Sequence, residues 1–409
     1  MIRQFIFTAA SIFSCATLYA QGLTLDELIS TAYQQNPNLE IEQENVNQQL
    51  LSKETADKRR WPSLSLSGST TNTAWDQTGS AAISLSQAIY QGGSIGIQQT
   101  IAQLNLQKSQ IAMERKKQSL RKDVELAYID LLQAIALREE DEKSLTQLQE
   151  QARISKILYS EGDVWKNDAL QADVSIAQGE TQLIAANNRI LRAQSALNIL
   201  LNFELDKNIQ LNGALLWHEH QWTWEKIQDA IQTQHPDILT AKINEEISSL
   251  GIRSQKSKKM PNVNFSSSVS RSENFSSDVD GSNNLSLSLS ANWTFWDAGN
   301  TNRNISTARL DKKKKSIELY NKRQQVLKQA QLSWLSLQEA AAQVKVLKQA
   351  IGIAKENYRV NTVRYQEKLG TANDLLTAQT LLSKSKKDWL SALASYSKAL
   401  YTLKFNIGQ

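Results

Sequence analysis

ISLSQAIYQGG, residues 83–93, is the stretch that decides the fold. Its first part alternates apolar and small polar residues, which is the period of a β-strand, and it ends in a glycine pair. After Gly93 the next proline is Pro236, and after Gly96 the next glycine is Gly162. The stretch therefore predicts a strand that turns into one long helix, of about 100 Å at a rise of 1.5 Å per residue.

The chain contains this change twice, because LSLSLSANWTFWDAG at residues 285–299 again leads from alternating residues into a long, lysine-rich helical segment. Residues 24–62 align without gaps on residues 223–261 at an offset of 199, and the alignment pairs all four prolines. Beyond the predicted strands the offset becomes 206. The sequence therefore predicts an internal structural repeat.

Each repeat is predicted to hold two shorter helices, a β-hairpin and a long helical hairpin. The X-Pro pairs separate these elements, because the residue before a proline disfavours helical geometry. The predicted segments are a signal peptide at 1–20, a first repeat at 21–212 with strands at about 63–75 and 81–90 and long helices at about 94–160 and 165–201, and a second repeat at 213–409 with strands at about 262–275 and 284–296 and long helices at about 300–366 and 372–405.

The predicted strands carry leucine or isoleucine on one face and serine on the other. Two hairpins separated by long helices cannot build a core alone, so the missing strands must come from other copies. Tryptophan and tyrosine near the strand ends, with a polar inner face, are typical of an outer-membrane β-barrel. A soluble sheet capped by aromatic residues remains the alternative.

The first residues resemble an export signal, with Arg3, an apolar run from Phe5 to Leu18, and Ala20 before the predicted cleavage point. Acylation at Cys15 is an alternative to ordinary cleavage. Beyond this segment no run of eighteen apolar residues occurs, so any membrane segment is expected to be formed by strands.

Composition excludes several other classes. The net charge of +5 is modest for 409 residues, and Lys312–Lys315 lie in a helical pattern, which argues against nucleic-acid binding. A single cysteine excludes an internal disulfide and a cysteine-based zinc cluster. His218 and His220 flank Glu219, where a surface loop is favoured over a metal site. No catalytic motif was found, so we predict neither an enzyme nor a cofactor.

The long helical segments carry apolar residues at spacings of three, four and seven, as in coiled coils. Apolar stripes on more than one side indicate that each helix packs against two neighbours, as in a closed ring. Ordinary coiled-coil packing is the alternative.

The order of these features, and their duplication, resembles the TolC-like outer-membrane efflux proteins over essentially the whole mature chain. The resemblance implies a mainly α-helical homotrimer whose strands close a twelve-stranded barrel in outer-membrane lipid, continued by an α-helical barrel in the periplasm. It implies an exit duct for small molecules or for type I protein secretion. The implied partners are a periplasmic adaptor protein and an inner-membrane transporter of the RND, ABC or MFS type.

The resemblance also implies functional positions. Asp168, Tyr365 and Asp374 match residues that close the periplasmic entrance in that family, and we expect Asp168 to accept a hydrogen bond from Tyr365, with Lys368 nearby. The family's arginine partner falls on Gly370, and a second acidic position falls on Thr377. The closing network is therefore expected to differ from that of the family.

Two further sets of residues follow from the same pattern. Gly162, Lys368 and Gly370 are expected at the hairpin tips that dock the adaptor, although Glu161-Gly162-Asp163 departs from the family's apolar pattern there. Gly92, Gly93 and Gly299 are expected to permit the bend between strand and helix. The alternative function is a trimeric coiled-coil tether or adhesin, anchored by a small barrel without an open lumen.

Overall fold

The computed structural model describes residues 22–217, 222–276 and 281–409. The predicted signal peptide, Cys15 and the pair His218 and His220 lie outside these residues. The elements are α1 (Leu25–Gln35), α2 (Pro37–Lys58), β1 (Ser63–Asn72), β2 (Gln77–Gln91), α3 (Ser94–Ser160), α4 (Lys166–Leu200), α5 (Trp224–Gln234), α6 (Pro236–Ser257), β3 (Asn262–Asn274), β4 (Ser282–Asn292), α7 (Asn300–Gln366) and α8 (Ala372–Asn406). The predicted class, mainly helical with one β-hairpin and one long helical hairpin in each repeat, is confirmed.

Local sequence accounts for where the shorter helices start. Thr24 and Glu27 form a capping box at α1. Asn36 Oδ1 accepts from the backbone N–H of Asn38 at 3.0 Å, and His235 Nδ1 accepts from that of Asp237 at 3.2 Å. Each of these two caps precedes a proline that opens the next helix, α2 or α6.

The four strands form one antiparallel sheet in the order β1-β2-β3-β4. β2 and β3, which come from different repeats, pair directly, whereas β1 and β4 are the two edges. The strands end earlier than the pattern suggested at two places, since β1 stops at Asn72 and β4 at Asn292. Trp75, Trp293 and Trp296 therefore lie just outside the strands.

The register places like residues beside one another. On one face Leu64 lies opposite Leu85, and Val269 opposite Leu285. This face is open in the single chain, where Leu64 and Leu285 are 72% and 67% exposed. The other face carries complete rows of serine across all four strands: Ser63-Ser86-Ser266-Ser288, Ser65-Ser84-Ser268-Ser286 and Ser69-Ser80-Ser272-Ser282.

The chain forms two compact units, and each combines residues from both repeats. Of the described residues, the first contains 22–39, 116–217, 222–233 and 327–409, and its buried side chains include Leu28, Leu131, Ile227, Leu337 and Leu393. The second contains 40–115, 234–276 and 281–326, includes the sheet, and buries Leu104, Ile238, Leu250 and Ile305. No helix in the described part of the chain is both long and apolar enough to cross a membrane.

Candidate functional site at the helical hairpin tips

The two helical hairpins end in turns of the same geometry, which we call the first tip (residues 161–165) and the second tip (residues 367–371). In the first, the N–H of Asp163 donates to the carbonyl of Leu158 at 2.9 Å; in the second, that of Leu369 donates to Arg364 at 2.7 Å. This hydrogen bond closes a helix C-terminus around a residue in left-handed conformation. That residue is Gly162 (φ +81°) in the first tip and Lys368 (φ +60°) in the second.

An ion pair joins the two tips. Lys368 Nζ lies 2.7 Å from Asp163 Oδ2, and the side chains are 61% and 31% exposed. The hydrogen bond to Asp163 raises the pKa of Lys368 above its ordinary value. Because exposed ion pairs contribute at most about 1 kcal/mol, this contact positions the two turns more than it stabilises the fold.

A buried hydrogen bond ties α3 to α7 one turn further from the tips. The hydroxyls of Ser155 and Tyr365 lie 3.0 Å apart, and the two residues are 0% and 4% exposed. Tyr365 packs in a cluster with Ala372 and Leu375. The cluster and the hydrogen bond together fix the ends of both hairpins against each other.

Asp374 is the third residue of α8 and caps that helix together with Thr371. Its carboxylate accepts from the N–H of Thr371 at 3.2 Å, while its own N–H donates to Thr371 Oγ1 at 3.1 Å. Hydrogen bonding from the side chain of Thr371, and then from its backbone N–H, holds the pKa of the Asp374 carboxyl below its ordinary value. The resemblance assigned Asp374 to an entrance, and the geometry adds a structural role as the second half of a capping box.

Asp168 occupies the same position in the first turn of α4 and is half-buried. Its carboxylate makes no hydrogen bond to any residue that the structure describes. The expected hydrogen bond from Tyr365 to Asp168 is therefore wrong for the single chain, because Tyr365 is bonded to Ser155. The ion-pair partner of Lys368, which was expected near Asp168, is Asp163.

Two residues of this arrangement were missed in the sequence. Ser155 and Asp163 belong to the first repeat, whereas their partners Tyr365 and Lys368 belong to the second. Neither contact follows from local spacing, because each depends on how the two hairpins pack. The two acidic residues of Glu161-Gly162-Asp163 were the available signal, since a lysine in the other tip can form an ion pair with one of them.

The strand-to-helix joints are a second set of predicted positions. Gly92 (φ +59°) and Gly93 (φ +82°) lie between β2 and α3. Gly299 (φ +80°) precedes α7, and its neighbour Ala298 (φ +53°) occupies the position equivalent to Gly92. Asp297 accepts from the N–H of Gly299 at 3.0 Å and from that of Thr301 at 2.7 Å, which closes the second joint.

No group of three metal-ligating side chains of the kinds His, Cys, Asp and Glu occurs in the described part of the chain.

Comparison with protein families gives one match, to the model described as outer membrane efflux protein, over residues 28–202 and 227–409. No curated protein matches the chain.

Several solved structures have the same fold. The outer membrane protein VceC from Vibrio cholerae is 17% identical, with a TM-score of 0.79 over 94% of this chain and 96% of that one. The CmeC outer membrane channel of Campylobacter jejuni is 15% identical, with a TM-score of 0.80 over 94% and 85%. The MtrE outer membrane channel of Neisseria gonorrhoeae, in its open state, is 17% identical, with a TM-score of 0.79 over 100% and 98%.

Proposed function

The chain belongs to the outer membrane efflux protein family, and we propose that it is the exit duct through which an inner-membrane transporter expels small toxic molecules or secretes polypeptides. At the level of the family it is an outer-membrane efflux channel that extends into the periplasm, and not an enzyme. Members are homotrimers that work with an adaptor and an inner-membrane pump. The cargo and the pump class, RND, ABC or MFS, belong to the proposal.

The two faces of the sheet are the observation that carries this proposal. The leucine face suits lipid, because bilayer hydrocarbon solvates apolar side chains without cost. The serine face suits water, because each hydroxyl can donate and accept hydrogen bonds. Three copies would supply twelve strands, with every edge paired and the serine rows turned inward around a lumen.

We further propose that the tips form the periplasmic entrance, with Asp168, Tyr365 and Asp374 at the gate. The Ser155–Tyr365 hydrogen bond and the Asp163–Lys368 ion pair support this, because both join one hairpin to the other. Opening requires the hairpins to separate, and these contacts oppose that movement. The turns around Gly162, Lys368 and Gly370 are proposed as the surface that meets the adaptor.

Single-channel conductance in planar bilayers tests the proposal. The purified trimer is expected to show a small and steady single-channel conductance. The double variant Tyr365→Phe and Asp163→Asn is expected to raise this conductance several-fold. Lys315→Gln, which removes an exposed lysine that pairs with Glu318 within α7, serves as the matched control and is expected to change nothing.

Two results would contradict the proposal in different ways. A trimer without any conductance, in wild type and variants alike, would favour the tether or adhesin. A conducting trimer that the double variant leaves unchanged would remove the gate assignment but keep the channel. A deletion strain tested against drugs and metals then identifies the cargo.

A further inference from the structure

A groove lies at the periplasmic-side end of the serine face, where α2 turns into β1. Its volume is 1120 Å³, and it is lined on one side by Lys58, Arg59 and Trp61 and on the other by Ser63, Ser86 and Ser266. We propose that this groove binds organic anions that carry an aromatic ring, and that it acts as a contact site for such cargo in the channel. The inference rests on the proposed function, because only a channel lumen brings cargo to the serine face.

The serine face itself carries no charge. Its positions on the four described strands are serine, threonine, asparagine, alanine or glutamine, as the register shows. The charged residues within the strands, Arg271 and Glu273, lie on the opposite face and pair with each other. On the described strands, an ion at this face therefore meets no full charge, and the nearest charges belong to the segments that flank the strands, among them Lys58 and Arg59 of the groove.

The cations of the groove are not neutralised. Lys58 and Arg59 are exposed, and neither forms an ion pair with any residue that the structure describes. The nearby Asp57 is paired with Lys53 at 3.0 Å. Two adjacent cations without acidic partners attract anions and repel cations, most strongly where side chains partly exclude water.

The groove also offers an aromatic surface in a fixed place. Trp61 is 75% exposed, so its indole ring is accessible to a ligand. Two hydrogen bonds fix the backbone around Trp61. The backbone N–H of Trp61 donates to the Lys58 carbonyl at 2.9 Å, and Gln87 Nε2 donates to the Arg60 carbonyl at 3.2 Å. Together they hold the turn against β2.

This combination selects a ligand class. An anionic group would bind at Arg59 and Lys58, a planar ring would stack on Trp61, and neutral polar groups would use the hydroxyls of Ser63 and Ser86. A cation with the same ring would lose the ionic contact. Aliphatic ions would lose the stacking.

The internal repeat reproduces only part of the groove. Arg59 aligns with Lys258, at the equivalent point before β3, whereas Lys58 aligns with Ser257 and Trp61 with Met260. Three copies would therefore carry the complete set of Lys58, Arg59 and Trp61 three times.

Calorimetric titration of the full trimer, in nanodiscs of zwitterionic lipid, tests the inference with 2-naphthalenesulfonate as the probe. The sulfonate is expected to bind more tightly than the trimethylammonium compound with the same ring. Arg59→Gln is expected to weaken its binding about tenfold, as loss of one charge-assisted contact does, and Trp61→Leu is expected to weaken both probes. Arg59→Lys, which keeps the charge, and Lys312→Gln, which removes an exposed cation outside the groove, are expected to bind as wild type does.

The inference is overturned if the sulfonate and the ammonium bind equally, or if Arg59→Gln binds the sulfonate like wild type. Block of single-channel current by the sulfonate separates the two proposals. A trimer that conducts but shows no Arg59-dependent binding loses this site and remains a channel. A trimer that binds the probe in an Arg59-dependent way but never conducts keeps the site and loses the proposed function.

Discussion

At the scale of single residues, the second tip has a lysine at the position where the first tip has a glycine. Lys368 aligns with Gly162, and both have left-handed backbone conformation. A side chain in this conformation costs about 1–2 kcal/mol relative to glycine. Lys368 has this conformational cost and also forms an ion pair with Asp163. This combination suggests that the lysine serves contact between the tips rather than stability.

Replacement of Lys368 is therefore expected to separate stability from gating. Lys368→Gly should stabilise the second tip by about 1 kcal/mol, while it removes the contact with Asp163 and raises single-channel conductance. Local stability is measured by hydrogen exchange of the peptide covering residues 364–378. Lys368→Asn, which tolerates left-handed geometry but has no charge, should raise conductance with a smaller gain in stability. A variant that is stabilised with unchanged conductance would show that the ion pair does not hold the entrance.

The glycines of the first joint are not equivalent. A Cβ on Gly92 would overlap the carbonyl oxygen of Ser257 and lie 2.9 Å from Met260 Cβ, whereas a Cβ on Gly93 would meet nothing within 4 Å. Gly93→Ala is expected to cost about 1 kcal/mol from backbone strain alone. Gly92→Ala should cost a further ~1–3 kcal/mol because the neighbouring backbone must move.

The difference between these two variants is measured by urea unfolding of the trimer. Equal unfolding midpoints would contradict the close approach of Gly92 to Ser257. The second joint supplies an internal comparison, because Ala298 already adopts the left-handed conformation at the position equivalent to Gly92.

At the scale of elements, α3 and α8 are joined by three ion pairs, and the acidic members of two of them are buried. Lys386 Nζ lies 3.0 Å from Glu140 Oε1, Lys387 pairs with Asp141, and Lys398 with Asp130. Glu140 and Asp141 are 8% and 6% exposed. The equivalent positions on α7 are Val346 and Leu347, so this electrostatic contact belongs to one helix pair only.

Removal of one lysine leaves a buried carboxylate without its partner. Lys386→Met is expected to destabilise the protein by about 2 kcal/mol, less than for a fully buried pair because Lys386 is partly exposed. Adding Glu140→Gln should recover much of the loss. Lys315→Met, which breaks an exposed pair with Glu318, should cost less than about 0.5 kcal/mol. Thermal unfolding followed by circular dichroism compares the three, and equal losses for Lys386→Met and Lys315→Met would contradict a buried role for Glu140.

The elements themselves could be predicted, because proline, glycine and period-two alternation are local signals. The strand-to-helix change after residue 83 and the X-Pro helix starts needed no long-range information. The contacts of Ser155, Asp163 and Glu140 could not be predicted, since each joins helices distant in sequence. The expected hydrogen bond between Asp168 and Tyr365 was wrong for the same reason, because Tyr365 forms its hydrogen bond with Ser155 of the other hairpin.

At the scale of the whole molecule, the proposed trimer gives the two faces of the sheet different solvents. Ser268→Cys should react rapidly with a water-soluble maleimide, and Leu287→Cys should react slowly in the lipid-embedded trimer but rapidly after denaturation. Ser268 belongs to a serine row, and Leu287 lies opposite Ser267 on the other face. Mass spectrometry of the labelled protein gives both rates. Equal rates in the intact trimer would contradict a barrel with its serine face inward.

The pairing of β2 with β3 also determines when the protein can fold. The N–H of Gln77 donates to the hydroxyl of Ser276, 199 residues later in the chain. The pairing of the first hairpin with β3 must therefore wait for most of the polypeptide to be synthesised, and contacts of such sequence separation form slowly. Because both outer strands then still lack neighbours, completion becomes a concentration-dependent encounter of three chains, and strands left unpaired meanwhile are prone to aggregate.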